Sequence, residues 1–216
     1  EGLVDLTSKG SDKLVALDQG FGSFIKDGGS PNDPIALLSA PVFKRVPARI
    51  AQGDSISWWP LIDAVQYATQ ISNDAAGADA LTVFRVQSDN LGVEGVQSGD
   101  YYLHLRGVDE NGIRGFRSQS RITIADIDAT LSPVDTTISV QGSEYLVEVT
   151  ELSDDAIGYE IQIANDEEFS DPLSVDVDTG GSAFFRIVDD NVYTRARILI
   201  DPYTVSEFGP VSNQSR

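Results

Sequence analysis

The stretch Ala64-Val65-Gln66-Tyr67-Ala68-Thr69-Gln70-Ile71-Ser72-Asn73-Asp74 returns 92 residues later as Ala156-Ile157-Gly158-Tyr159-Glu160-Ile161-Gln162-Ile163-Ala164-Asn165-Asp166. Six of the eleven positions are identical. Pro41-Val42 returns as Pro133-Val134 at the same step, and Tyr102 and Arg106 return as Tyr193 and Arg197 one residue short of it. A period this long is one small domain present twice; solenoid units are typically shorter. Within the stretch, Tyr67, Thr69 and Ile71 fall on one face of an extended chain and Gln66, Ala68 and Gln70 on the other.

Working outward, the same alternation recurs in short runs. Val42–Val46 opens the first copy. Asp54–Trp59 alternates next, with Ile56 and Trp58 on one face. Leu81–Val86, Tyr101–Val108 and Phe116–Ile124 follow, and Asp109-Glu110-Asn111-Gly112 supplies a turn suited to positive φ. In the second copy Tyr145–Val149 stands where the tryptophan strand stood. Leu173–Val177, Ser182–Val188 and Val192–Ile200 come after it. About seven short strands per copy, parted by turn formers, predict an antiparallel sandwich. Helical periodicity is weak, and the best helical turn is at Asp166–Phe169. Residues 1–35 differ: Gly2–Leu6 and Lys13–Leu17 read as a hairpin about Ser8–Asp12, and Gly20–Ile25 as a third strand. The run from Lys26 to Pro34, with Gly28, Pro31 and Pro34, reads as a linker. Three such strands cannot close a core, so this segment is the tail of an upstream domain or packs on the next one. The expected domains are 1–35, 36–125 and 126–216.

With 41% hydrophobic residues the chain can fill real cores, and no apolar run approaches a bilayer span. There is no cysteine, which excludes disulfides, thiol nucleophiles and cysteine-held zinc. A net charge of -19 argues against nucleic acid and against anionic lipid surfaces. The chain starts at Glu1 without methionine and reads as a mature or trimmed fragment.

Catalytic constellations are hard to find. His104 is the single histidine, placed mid-strand between Leu103 and Leu105, and no partner for a general base is indicated. There is no nucleophile elbow, phosphate loop or histidine-rich metal pattern. Asp126-Ile127-Asp128, Asp176-Val177-Asp178 before Gly180-Gly181, and Asp189-Asp190-Asn191 offer hard oxygen ligands for calcium, but none has EF-hand spacing and solvated turns are the expectation. No cofactor, metal or catalytic residue is assigned. Trp58 and Trp59 are adjacent on a strand and so point to opposite faces. One belongs to the core; the other is the candidate contact for a partner or a sugar ring. Arg195 and Arg197 share a strand face, where cross-strand pairing with acidic residues is expected ahead of a specific anion site.

Ile56-Ser57-Trp58-Trp59-Pro60, Ala64, Tyr67 and Gly99-Asp100-Tyr101-Tyr102 with Arg106, Asp109 and Gly112 resemble a fibronectin type III-like module, which implies Trp58, Tyr67 and Tyr102 as core aromatics. The second copy lacks the tryptophan, so Val147 or Val149 must fill its volume. Gly20-Phe21-Gly22, Gly28, Pro31, Pro34 and Leu37-Leu38-Ser39-Ala40-Pro41, followed by Arg106-Gly107-Val108-Asp109, Gly112 and Gly115, resemble the end of a FecR-type domain and its trailing modules. That resemblance implies a periplasmic or cell-surface protein of a Gram-negative bacterium, with the body of the FecR-like domain upstream of residues 1–35.

The expected fold is all-β: two tandem fibronectin III/immunoglobulin-like sandwiches after a short β-segment. The expected function is a non-catalytic envelope scaffold or protein-interaction region whose partner is an envelope protein or a glycan. A carbohydrate- or peptidoglycan-binding module using Trp58, Trp59, Tyr101, Phe184 or Phe185 is the alternative. An enzyme is the third reading, and it lacks a nucleophile–base pair.

Overall fold

The computed structural model describes residues 4–8, 13–26, 29–47, 49–187 and 191–215. Gly2, Leu3, the loop 9–12 of the expected first hairpin, Gly28, Val188, and Asp189 and Asp190 of the third acidic turn lie outside the described residues. No helix occurs among those described. The N-terminal strands are β1 (Val4–Leu6), β2 (Val15–Leu17), β3 (Phe21–Gly22) and β4 (Ile35–Ala36). Next come β5 (Val42–Arg45), β6 (Arg49–Ala51), β7 (Ser55–Trp59), β8 (Gln66–Ser72), β9 (Ala80–Val86), β10 (Asn90–Gly92), β11 (Gly99–Val108) and β12 (Arg114–Ile127). The last are β13 (Thr136–Gln141), β14 (Glu144–Val149), β15 (Gly158–Ala164), β16 (Leu173–Val177), β17 (Ser182–Phe185), β18 (Asn191–Asp201), β19 (Thr204–Val205) and β20 (Ser212–Ser215).

By contacts the chain forms two compact units. The first comprises Glu1–Lys44, Ile56–Leu91 and Tyr101–Arg121; the second comprises Arg45–Ser55, Gly92–Asp100 and Ile122–Arg216. In the first unit β5, β7 and β10 make one sheet with β7 central, and β9, β8, β11 and β12 follow one another in the other. The sheets face each other through Trp58 of β7, which meets Tyr67 of β8 edge-on with ring centroids 5.2 Å apart. Tyr67, Thr69 and Ile71 are all buried, as their shared parity requires. The segment before β5 packs here too: Leu37 N–H donates to Gly20 O and Phe116 N–H to Leu38 O. Leu38 lies so close to Gly115 that a Cβ there would sit 2.5 Å from its carbonyl oxygen, which restricts position 115 to glycine.

In the second unit β13, β14 and β17 form the three-stranded sheet. β16, β15, β18 and β20 form the other, in that order. Tyr145, Val147 and Val149 of β14 pack with Tyr159, Ile161 and Ile163 of β15 and Val192, Ala196 and Ile198 of β18. The valines expected to replace the tryptophan are both in this core, and Tyr145 from the same strand adds aromatic volume. Each sandwich thus sets its first, second and fifth main strands against its fourth, third, sixth and seventh. That is the fibronectin III/immunoglobulin-like arrangement, and the fold is all-β.

Three details differ from the expectation. Tyr101 is the buried neighbour and Tyr102 is only half-buried, because adjacent strand residues point to opposite faces, and with Phe185 also buried neither Tyr101 nor Phe185 can form an exposed aromatic platform. Asp166–Phe169 is a tight turn, closed by Phe169 N–H on Asp166 O at 3.3 Å, and Phe169 has φ 53°, so no helix can propagate. β4, β6, β10 and β19 have two or three residues each, too few to carry a period in the sequence.

The repeated tyrosine has the same task in both units. Tyr67 Oη accepts Leu61 N–H at 2.7 Å, and Tyr159 Oη accepts Ser153 N–H at 2.6 Å. Each ties down the turn six residues upstream while its ring fills the core. Tyr159→Phe leaves the buried ring and removes the acceptor, so it is expected to cost about 1 kcal/mol in urea unfolding; a loss below a few tenths would show that water replaces the phenol.

Candidate functional site

The most heavily built polar constellation lies on the face of β15 and β18 turned away from the second core. Register pairs Glu160 with Arg197 and Gln162 with Arg195. Glu160 and Arg197 are each 1% exposed. Arg197 Nε donates to Glu160 Oε2 at 2.8 Å, and its Nη2 lies 2.6 Å from the same oxygen. Arg197 Nη2 also lies 3.2 Å from Asp54 Oδ2, whose oxygen additionally accepts Ala51 N–H. Glu160 Oε1 accepts from Ser174 Oγ of β16 and from Gln162 Nε2. The cross-strand pairing expected of the arginines is therefore present for Arg197.

Arg195 is held differently. Its Nε donates to Gln162 Oε1 at 2.9 Å. Its guanidinium carbon sits 4.1 Å from the Phe169 ring centroid and 4.2 Å from that of Phe208. Arg197 lies 4.3 Å from Phe208, so rings and cations alternate: Phe169, Arg195, Phe208, Arg197. Burial pushes Arg195 below the ordinary arginine pKa; Asp54 and Glu160 oppose that shift and Arg197 adds to it. Sequence reasoning placed the two arginines on one face but missed Asp54, Phe169 and Phe208. Those three come from loops, where no strand period announces them; for Phe169, a bulky residue aligned with Gly77 was the available signal.

The corresponding face of the first unit carries Ala68, Gln70, His104 and Arg106, with Gln70 opposite His104 and Ala68 opposite Arg106. Lacking a carboxylate there, Arg106 donates to Gly115 O at 2.7 Å. His104 is buried beneath the 73–79 turn, and its Nε2 is 2.8 Å from Ser72 Oγ. Ser72 Oγ–H donates to Asp74 O, so the ring is the donor through Nε2–H, and buried Nδ1 is left without a partner. Gly77, at φ 77°, makes room: a Cβ there would be 3.2 Å from His104 Nε2. His104 is thus more enclosed than its strand position implied, and among the described residues its hydrogen-bond partner is a serine already bonded to the backbone.

The tryptophans divide as adjacent strand residues must. Trp58 is fully buried, while Trp59 is 59% exposed with Lys44 Nζ 5.3 Å from its ring centroid. Lys44 also pairs with Asp89 at 3.3 Å. Any aromatic contact on this strand falls to Trp59 and to the ring face that Lys44 leaves open. The acidic residues of these turns are engaged by the protein itself. Asp128 accepts Thr130 Oγ and N–H, which hold its carboxyl below the usual carboxylate range. Asp178 accepts Gly180 N–H, Asp126 accepts Ser98 Oγ, and Asp176 pairs with Arg49 at 3.0 Å. No group of three metal-ligating side chains gathers among the described residues. An open cleft of about 320 Å³ in the second unit is lined by Asp135, Glu151, Asp155, Leu131 and Leu152 among others; its serines, Ser132 and Ser153, have no histidine or lysine beside them in the lining.

The strand order defines a tandem β-sandwich of the fibronectin III-like class. No family model matches the chain, and no curated protein matches it. Among solved structures it is similar to the FN1–FN3 domains of chicken CNTN1, at 16% identity over 89% of this chain and 75% of that one, TM-score 0.37. It is also similar to a two-domain fibronectin type III segment of chicken tenascin, at 13% identity over 82% of this chain and 100% of that one, TM-score 0.34.

Arg197→Met leaves Glu160 buried without its cation and is expected to cost about 3–5 kcal/mol, whereas Glu160→Met combined with Arg197→Met recovers most of the loss. Urea unfolding of the three proteins checks this; equal losses in single and double variants would contradict it. For His104, burial and then Arg117 hold the pKa below its ordinary value. The unfolded chain therefore binds the proton more readily than the folded one. His104 adds stability above about pH 6.5, and this is lost as pH falls through the lower folded-state value. Between pH 7.5 and 5 the wild type is expected to lose more stability than His104→Gln, and parallel curves would refute the assignment.

Proposed function

We propose that this chain is a non-catalytic scaffold and protein-interaction region of a bacterial cell-envelope protein, as its resemblance to FecR-type proteins implies. The observation that carries the reading is the edge strand β9. It pairs with β8 on one side and has no strand on the other among the described residues. Leu81 and Val83 stand 47% and 56% exposed along it. The corresponding edge in the second unit, β16, is guarded. Arg49 Nη1 donates to both oxygens of the Asp176 carboxylate, at 3.2 and 3.0 Å, and Arg45 donates to Asp171 O and Pro172 O just before the strand. An open seven-residue edge with two exposed apolar side chains beside Arg85 is a template for another strand, and proteins normally blunt such edges. The whole chain carries a charge of -19, which opposes pairing with a second molecule of itself and favours a strand from a different protein.

The engagement of Glu160, Arg197 and Asp54 with one another, which uses these charges to hold structure, supports the scaffold part of the reading. Glycan stacking has one free face of Trp59 available to it. A photo-crosslinking residue at position 81 or 83, in the protein expressed in its own envelope, is expected to capture one protein through the β9 edge. Val83→Lys, which changes stability by less than about 0.5 kcal/mol at such a site, should abolish the capture. Crosslinks to a second copy, or none at all, would overturn the edge assignment. Protection of Trp59 fluorescence from quenchers by peptidoglycan fragments would move the function to glycan binding.

A further inference from the structure

We infer that Arg195, clamped between Phe169 and Phe208, is a receptor for a carboxylate group presented by a partner. Arg197, two residues on, has its charge met by Glu160 and Asp54. Arg195 has no carboxylate in ion-pair distance, and its one hydrogen bond is from Nε to the neutral Gln162 Oε1. Its two terminal nitrogens have no partner among the described residues. Nor are they sealed in, since the buried side-chain nitrogens and oxygens without a partner belong to Trp58, Thr69 and His104. The outer edge of the guanidinium therefore reaches solvent with its N–H groups unused.

That edge is unusually fixed. A surface arginine loses much rotamer freedom when it grips an anion, and holding the fork in advance removes that cost. Here the Phe169 and Phe208 rings both lie against the guanidinium, at 4.1 and 4.2 Å from its carbon, and Gln162 holds its Nε. Gln162 is in turn held by donating to Glu160. The backbone supports the arrangement at a cost: Phe169 sits at φ 53°, where a bulky residue is strained, while the first unit places Gly77 at the equivalent position. The first unit also has His104 where the second has Arg195, so the feature is confined to one of the two copies. Strain retained at a residue whose ring forms one wall of a clamp points to a use for that clamp.

The ligand class follows from shape and charge. A planar fork with two parallel N–H donors matches the two oxygens of a carboxylate. Arg195 and Arg197 with Glu160 and Asp54 make a neutral group, inside a chain of charge -19, so one added negative charge is tolerated better than the two of a phosphate. An acidic side chain, a chain terminus and a small free acid all present this carboxylate chemistry, and the probes below separate them. The inference names partner chemistry for the interaction reading above, but it does not depend on the β9 edge; either can fail alone.

The test is NMR on the intact chain, following Arg195 Nε–H and the backbone amides of Phe169, Ser170, Phe208 and Gly209. The probes are acetate, N-acetyl-aspartate amide, a short neutral peptide with a free C-terminus, its C-terminal amide, and inorganic phosphate. Saturable shifts with the carboxylates and none with the amide are expected, and the strongest of the three identifies the source. Arg195→Gln should abolish the shifts. Phe169→Gly, which installs the residue the first unit uses at this turn, should keep the fold and weaken binding about tenfold by loosening the clamp. Shifts no larger than those of the exposed Arg186, or shifts with phosphate alone, would overturn the assignment. Unchanged affinity in Phe169→Gly would overturn the role given to the rings.

Discussion

The fully buried Glu160–Arg197 pair is the constraint on which the second unit depends. Two opposite charges at 1% exposure each cannot be separated without stranding one of them away from water. Their register partners and covers are fixed by that demand. β15 must lie beside β18 with Glu160 opposite Arg197, Ser174 must come from β16 to take up a remaining lone pair, and Asp54 must approach from the 45–55 segment. The result is a strand buried on both faces: every residue of β15 from Gly158 to Ala164 is buried. One face is the usual apolar core, and the other is a satisfied polar layer. Such a layer contributes little net stability, but a slip of one residue along the strand would place the carboxylate in the apolar core, so it specifies register strongly.

The two copies show how a few substitutions redirect one scaffold. Register is conserved, since Gln70 faces His104 as Gln162 faces Arg195. Ala68 in place of Glu160 removes the buried acid, and Arg106 turns to a backbone carbonyl. Gly77 in place of Phe169 opens room for a neutral imidazole, where the second unit has a ring over a cation. The Asn-Asp pair that closes this turn is kept in both. Asp74 Oδ2 accepts Asp79 N–H, which holds its carboxyl below the usual range, and Asp166 Oδ1 accepts Ser170 N–H. The turn's hinge is thus constant while its tip and the strand beneath it vary.

Much of the fold was legible because strand alternation is a local property. Tyr67, Thr69, Ile71, Ile56 and Trp58 announce their core face by parity alone, and Leu173–Val177 reads directly as a strand. The candidate site was legible only by half. Arg195 and Arg197 share a face by parity, but what covers a sheet's outer face is decided by loops distant in sequence. Nothing in the spacing of Asp54 or Phe208 ties them to β18. Phe169 was read as part of a helical turn because Asp166-Glu167-Glu168 suits a helix start; the positive φ that excludes a helix is imposed by the turn between β15 and β16, which local propensity does not contain.

The acidic character of the chain takes on a different meaning once its carboxylates are placed. Asp74, Asp109, Asp128, Asp166, Asp178 and Asp201 each accept a backbone N–H within five residues of themselves. Short Asp side chains are suited to this because they mimic the turn's own backbone acceptor. A substantial share of the charge is therefore a by-product of building many tight turns between short strands. Chemistry at such a surface is carried instead by its exceptions: a cation with unused donors, an apolar strand edge without a guard, and an exposed tryptophan. Each of the three is a feature at which a partner surface can make contact.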